Sequence, residues 1–352
     1  MRTSFIQSVI TALLVPIAFG QTAVENRVFP FSKNRSALEI NETATVIREM
    51  TDATGVSVDV AKKTLSLTGT AGQIAIGGWL FNELDGPAIL PSATQQGRGP
   101  VVKGYRVSGD DVVHLLYLPD VKTVRDLSEV VTLVRSTGDI RRLMMSGQRA
   151  TITRGTPDQT ALTDWLFSEL GQASRQSPAQ SLTMHEYPLA VRADPAVERG
   201  ARVRVYDLAH VATVYDFQEV VTMARFMADI RQLYSYSTAR AVAARGTPEQ
   251  LALVDWLFKD LDRAASPDAS TQPGRDSTAH EYRLPESDEI VRVFYLSHNQ
   301  TPQQIAEIAT QIRAITQVRR LDTYTALRAL ALRGTPDQIA LAEQFVRERD
   351  RY

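Results

Sequence analysis

Histidine is the first place to look for chemistry, because its charge changes between about pH 5 and 8 and its ring binds metals. The chain has five. Four fall into two pairs at matching places of an internal repeat, His185 with His280 and His210 with His298. His114 takes the place of Arg204 and Arg292, which reads as an outward position on a strand. One histidine per repeat, no cysteine and no clustered carboxylates make poor metal-ligand spacing. His185-Glu186 does not open a His-Glu-x-x-His zinc helix, since Leu189 stands where the second histidine belongs. The expectation is structural or solvated histidines, with no catalytic, cofactor-binding or metal-binding residues and no cofactor.

The phrase Arg-Gly-Thr-Pro-Asp/Glu-Gln could be taken for a phosphate loop. It occurs at Arg154–Gln159, Arg245–Gln250 and Arg333–Gln338, with a worn copy at Thr68–Gln73. It lacks the Gly-x-x-x-x-Gly-Lys framework. Thr, Pro and Gln at these spacings are instead a helix start. Thr accepts from the free amides, Pro tolerates the first helical position, and Gln reaches back to close a capping box. Thr70, Thr156, Thr247 and Thr335 are the expected caps of one helix per repeat, and Thr301 caps another. On this reading capping explains every residue of the phrase.

Trp79, Trp165 and Trp256 each open a Trp-Leu-Phe triplet, and Gln344 fills that place in the last copy. Two readings stay open. Each Trp packs on the segment leading into the next repeat, or each packs within its own repeat and Gln is tolerated at the end.

These residues need elements to hold them. The glycines of the phrase lie 86, 91 and 88 residues apart, which marks a tandem duplication. In the last copy Ile290–Leu296 reads as a strand. Ile305, Ile308, Ala309, Ile312 and Ile315 form an apolar helical stripe behind Thr301-Pro302. Arg319–Thr323 and Leu327–Arg333 read as two more strands, and a second helix runs through Arg347. The order is β-α-β-β-α. Leu65 and Leu67, Val242 and Ala244, Leu330 and Leu332 form the strand face toward the helices. Copy two has Thr151 and Thr153 there with Ile152 opposite, which leaves its register open. In copy one the opening strand is hard to place between Arg27 and Glu39. Tyr105-Arg106-Val107, His185-Glu186-Tyr187 and His280-Glu281-Tyr282 recur before the later copies and suggest an extra hairpin strand.

The fold expected is α+β: four tandem modules, each a three-stranded sheet with two helices on one face, with that extra strand and flexible linkers between. Each helix pair covers its own sheet. The boundaries read as a signal peptide at 1–20, then modules at 27–86, 103–171, 183–262 and 280–352. Linkers fall at 87–102, 172–182 and 263–279. Met1-Arg2, the uncharged apolar run Phe5–Phe19 and Ala18-Phe19-Gly20 make a secretory leader. A buried first helix and an uncleaved anchor are the alternatives. No other stretch is apolar for long enough to span a bilayer. The formal net charge of −1 offers no basic field for nucleic acid, and the KH-like layout lacks the Gly-x-x-Gly loop of that family.

The line of strand, amphipathic helix, strand pair and Arg-Gly-Thr-Pro-Asp-Gln-Ile-Ala-Leu-Ala-Glu resembles the NolW-like periplasmic repeat domains of bacterial secretins. The resemblance is best over Ile290–Arg349 and good over Val112–Leu170 and Val203–Leu261. The pore-forming secretin domain does not follow within this sequence. The resemblance implies a periplasmic, outer-membrane-associated location and envelope protein partners, secretin or pilus components among them, together with self-association. The function expected is a non-catalytic interaction scaffold. The alternative is a module that binds cell-wall polymer or another envelope ligand.

Overall fold

The computed structural model describes residues 23–350 apart from 33–34, 87–99, 108–109, 119–120, 122, 148–149, 176–180, 190–199, 264–280, 286 and 298–300. The leader, most of the first and last linkers, part of the middle one, His280 and His298 lie outside the described residues.

Four α+β modules follow one another. The first holds β1 (Glu25–Pro30), α1 (Ala37–Thr51), β2 (Gly55–Asp59), β3 (Thr64–Gly69) and α2 (Ala71–Asp85). The second holds β4 (Val101–Arg106), β5 (Val112–Tyr117), α3 (Val124–Gly138), β6 (Arg142–Ser146), β7 (Ala150–Gly155) and α4 (Pro157–Arg175). The third holds β8 (Thr183–Pro188), β9 (Arg202–Asp207), α5 (Val214–Ala228), β10 (Gln232–Tyr236), β11 (Ala241–Gly246) and α6 (Pro248–Leu261). The fourth holds β12 (Glu281–Arg283), β13 (Ile290–Tyr295), α7 (Pro302–Thr316), β14 (Arg320–Tyr324), β15 (Ala329–Gly334) and α8 (Pro336–Arg349). Gln172 to Arg175, which composition puts in a linker, continue α4.

The sheets are antiparallel, in the orders β1-β3-β2, β4-β5-β7-β6, β8-β9-β11-β10 and β12-β13-β15-β14. The extra hairpin strand is therefore present in modules two to four. The opening strand of module one is β1, which starts two residues before the segment searched in the sequence and overlaps its beginning. Register is common to all copies. Leu116 faces Thr151 across the ladder as Phe294 faces Leu330, so Thr151 and Thr153 point to their own helices and both are fully buried.

The repeated phrase builds a joint within each module. Gln73, Gln250 and Gln338 complete capping boxes with Thr70, Thr247 and Thr335. In the same way Thr156 N donates to Gln159 Oε1 at 3.1 Å. The same glutamines donate to backbone carbonyls at the end of the module's first helix: Asp52, Asp139, Asp229 and Thr316. Glycine precedes each Thr because a Cβ there would lie 2.6 to 2.8 Å from the glutamine Oε1. Capping alone thus does not account for the Gly, nor, as follows, for the Arg.

The modules are not separate beads. In modules one to three the first helix covers its own sheet and also the back of the next one. Val113, Leu115, Tyr117, Ala150 and Ile152 of module two are buried in one core with Ile40, Ile47 and Met50 of α1. Val203, Val205, Ala241, Ala243 and Tyr236 join the core of module two. Val291, Val293, Ala329, Ala331 and Tyr324 join that of module three. The expectation that each helix pair serves only its own sheet is corrected. A sheet whose two faces are both apolar must be covered twice, and the result is a stack with nearest-neighbour contacts.

Candidate functional site at the module joints

Comparing α7 with its three counterparts identifies the helix positions that a following sheet covers. Val46, Leu133 and Met223 are buried, whereas the matching Gln311 is exposed. Met50, Thr137 and Met227 are buried, whereas Ile315 is 42% exposed. On the second helix Ile76, Leu162 and Leu253 are buried, whereas Leu341 is 43% exposed. The fourth module is the one among those described with no sheet on this face.

The tryptophans lie at the same joints. Trp79 stacks on Tyr105 with ring centroids 5.4 Å apart, Trp165 on Tyr187 at 5.3 Å and Trp256 on Tyr282 at 5.7 Å. Each tyrosine belongs to the extra strand of the following module. One helical turn beyond the first two tryptophans, an acid meets a base two residues before the tyrosine. Lys103 Nζ lies 2.5 Å from Glu83, and His185 Nδ1 lies 2.5 Å from Glu169. The spacings fit because i and i+4 share a helix face while j and j−2 share a strand face.

The Arg of the phrase is a joint residue too, which sequence reasoning missed. Arg154 Nη1 donates to the carbonyl of Met50 at 2.7 Å, Arg245 to that of Thr137 at 3.3 Å and Arg333 to that of Met227 at 2.8 Å. These carbonyls end the first helix of the preceding module, where orphan acceptors and the helix dipole favour a cation. A second recurrent group is a glutamate in the second turn of each first helix. Glu129 accepts from Ser237 N, and Glu219 from Thr325 N and Oγ1, in hairpin turns of the next module. The signal was available: module one has Thr68 in place of the Arg, and among the described residues it has no extra strand and no tyrosine to receive a tryptophan.

His114 does not face outward. It lies opposite Thr153 on the buried face of the sheet, and its Nδ1 is 2.8 Å from Asp164 of α4. The matching Arg204 pairs with Glu186 and with Asp255, and Arg292 with Glu281 and Glu343. The carboxylates come from the extra strand and from the residue before Trp165 and Trp256 or, in module four, before Gln344. In module two the strand position is Gly104, where a Cβ would lie 3.3 Å from the His114 ring. His210 sits 3.9 Å from Asp262, which also accepts from the amides of Ala209 and His210.

The middle joint differs from the others in a way that pH can read. Tyr117 and Tyr295 contact the acid-bearing turn of the preceding helix, Tyr295 Oη donating to Asp260 at 2.7 Å. The matching residue in module three is Asp207. Its Oδ2 accepts from Thr183 at 2.8 Å, and its Oδ1 is buried without a partner. Burial pushes the Asp207 carboxyl up and Glu169 adds to this, against Thr183 and His185. A carboxyl raised on folding stabilises below its unfolded pKa, and that stability is lost as pH rises through the folded value. Asp52 and Asp229 behave oppositely. The hydrogen bond from Arg142 holds Asp52 down and that from Arg320 holds Asp229 down, so their contribution is lost as pH falls through their depressed values. As pH falls from neutral through the raised value of Asp207, the joint between modules two and three is expected to tighten while the outer joints hold. Amide exchange, corrected for intrinsic rate, should slow in β8 and not in β4. Asp207→Tyr, the residue of the other joints, should flatten the response. Equal pH dependence in both strands would show that the cluster does not act on the joint.

Among the described residues, no group of three or more His, Cys, Asp or Glu side chains is placed to hold a metal ion, and no helix is long and apolar enough to cross a membrane. No protein-family model matches the chain, and comparison with curated proteins gives no match. Among solved structures the chain is similar to ExeD of Aeromonas hydrophila, with 14% identity and a TM-score of 0.16 over 69% of this chain and 42% of that one. It is similar to XcpQN012, with 12% identity and a TM-score of 0.21 over 71% of this chain and 99% of that one. The secretin GspD in the ETEC pilotin–secretin AspS–GspD complex gives 13% identity and a TM-score of 0.16 over 69% of this chain and 39% of that one. The chain thus spans less than half of the ExeD and GspD chains it matches.

Proposed function

We propose that the chain is a non-catalytic interaction protein of the bacterial envelope, exported through residues 1–20 and working as a stiff periplasmic spacer beside a secretion or pilus complex. The observation that carries the reading is the thrice-repeated joint. Trp79, Trp165 and Trp256, the Arg of each later phrase and the charged pair beside each of the first two tryptophans are all engaged in holding one module on the next. A chain that commits its recurrent aromatic and charged residues to internal stacking fixes the distance and orientation between its ends, which suits a scaffold. The resemblance of its repeat line to the secretin modules supports the compartment and the kind of partner. The tryptophans are the residues a wall-glycan binder would need on its surface, and here they are occupied by tyrosines.

Photo-crosslinking from exposed helix positions in intact cells, followed by fractionation and mass spectrometry, tests this. The expected result is periplasmic recovery with crosslinks to secretion or pilus proteins of the envelope. Recovery in the cytoplasm, or binding to isolated sacculi without protein crosslinks, would overturn it.

A further inference from the structure

The two faces that the stack leaves open are counterparts of the faces it closes. In every joint a first helix and a second helix of one module receive the back of the following sheet. Among the described residues, α7 and α8 are the helix pair with nothing on that face, and the sheet of module one is the sheet with nothing on its back. Both keep part of the joint apparatus. On the helix side Ile315 and Leu341 are 42% and 43% exposed, at positions where Met227 and Leu253 are 0% and 2% exposed. Glu307 stands where Glu219 accepts from the next hairpin turn, and Glu348 where Glu83 and Glu169 meet a base. On the sheet side Val28 is 55% exposed, at the position of Leu115, Val205 and Val293, which are 0%, 3% and 2% exposed.

The remaining positions have turned polar. Gln311 and Gln344 replace the buried aliphatic residue and the Trp of the other modules, and Ser66 and Thr68 replace Ile152 and Arg154. Such a pair of faces can meet by the same geometry but with less apolar burial. Charge favours it. Lys62 occupies the hairpin position of Ala239 and Leu327, which are buried against the preceding module. Its side chain is 79% exposed, shared with Asp59 at 3.1 Å. Seating that hairpin on α7 brings Lys62 to the helical turn carrying Glu307.

We propose that copies of this chain stack head to tail, the sheet of module one resting on α7 and α8 of the next copy, through a weak version of the internal joint. Because the two surfaces differ, the contact is heterologous and open-ended rather than a closed dimer. The inference stands on joint geometry and does not depend on the envelope role, so either can fail alone.

The chain has no cysteine, so introduced thiols report without background. Val60→Cys and Glu307→Cys are placed at the positions whose counterparts, Thr325 and Glu219, are hydrogen-bonded in the third joint. Both sites are exposed, and circular dichroism checks that the fold is kept. Treated with a short bis-maleimide, the doubly substituted full chain should give a ladder of multimers, whereas each single variant stays monomeric. In sedimentation velocity the unsubstituted chain should gain mass with concentration. Leu341→Asp should weaken that association at least about tenfold, which corresponds to the roughly 1.4 kcal/mol of one decade, and Gln311→Leu with Gln344→Trp should strengthen it by as much. A mass independent of concentration with no ladder, or dimers from a single-thiol variant, would overturn the proposal.

Discussion

Replacing Trp165 with Ala is expected to destabilise the chain by about 2–3 kcal/mol and to do so at the joint rather than inside module two. A core Trp→Ala change costs about 3–5 kcal/mol, and Trp165 is half-buried, which brings the figure down. Part of the loss is the ring pair with Tyr187, worth about 0.5–1.5 kcal/mol beyond area burial. The readout that separates the two possible roles is local. Amide exchange should speed up in β8, which carries Tyr187, while β6 and β7 keep their protection. Trp165→Gln, the residue of module four, should behave like the Ala variant. A double-mutant cycle with Tyr187→Ala should return a coupling of the same size as the ring pair. Faster exchange in β6 and β7 with β8 unchanged would instead assign Trp165 to its own module. Cleavage between Gln172 and Leu182 should also rise in the variant, because β8 anchors the end of that segment.

How far the sequence reveals this depends on the range of the interaction. The capping device is legible because Thr, Pro and Gln act on backbone groups within three residues. The module order is legible because helix stripes and strand alternation are local periodicities. The joints are not local, and their residues had sufficient local explanations. Arg154, Arg245 and Arg333 look like the flank of a cap, and contact with a helix about a hundred residues earlier gives all three a common role. The double-sided burial of α1, α3 and α5 was nevertheless written in Val46, Leu133 and Met223. They widen the apolar stripe beyond what one sheet needs, and Gln311 narrows it again in α7. Trp and Gln344 carried the same message on the second helix. His114 was misplaced because an Arg on a strand reads as solvent-facing. Arg204 and Arg292 are instead drawn under a helix by two carboxylates, one of them on a strand whose existence was itself inferred from a weak repeat. Each first helix also spends an arginine on its own edge strand. Arg48, Arg225 and Arg313 donate to the carbonyls of Val56, Leu233 and Leu321, as Arg135 does to Leu143. Such contacts occupy acceptors on a sheet edge that would otherwise invite another strand.

Arg292 is where a single substitution should do most damage. Its side chain is 9% exposed and sits between Glu281 and Glu343, themselves 13% and 18% exposed. Arg292→Ala removes the buried cation and leaves Glu281 and Glu343 with only the exposed Arg283 and Arg347 as partners. Breaking a buried network in this way costs about 3–5 kcal/mol, enough to unfold module four and, through the shared core, to loosen the sheet face that covers α5. Whether the network is structural or a site built for a ligand is decided by replacing all of it. A chain carrying Arg292→Met, Glu281→Leu and Glu343→Leu has no buried charge left to strand, since Arg283 and Arg347 are exposed to water, and apolar replacements of buried ion networks are often neutral or stabilising. Denaturant midpoints close to the unsubstituted chain, with exchange in β13 and β15 restored, are therefore the expected result for the triple variant. If it proved as unstable as Arg292→Ala, the charges would be needed for packing geometry that aliphatic side chains do not reproduce. Module two shows how the fold tolerates a lesser version: His114 and Asp164 hold the same place with Gly104 in front of them, so one carboxylate has gone together with the permanent cation that needed it.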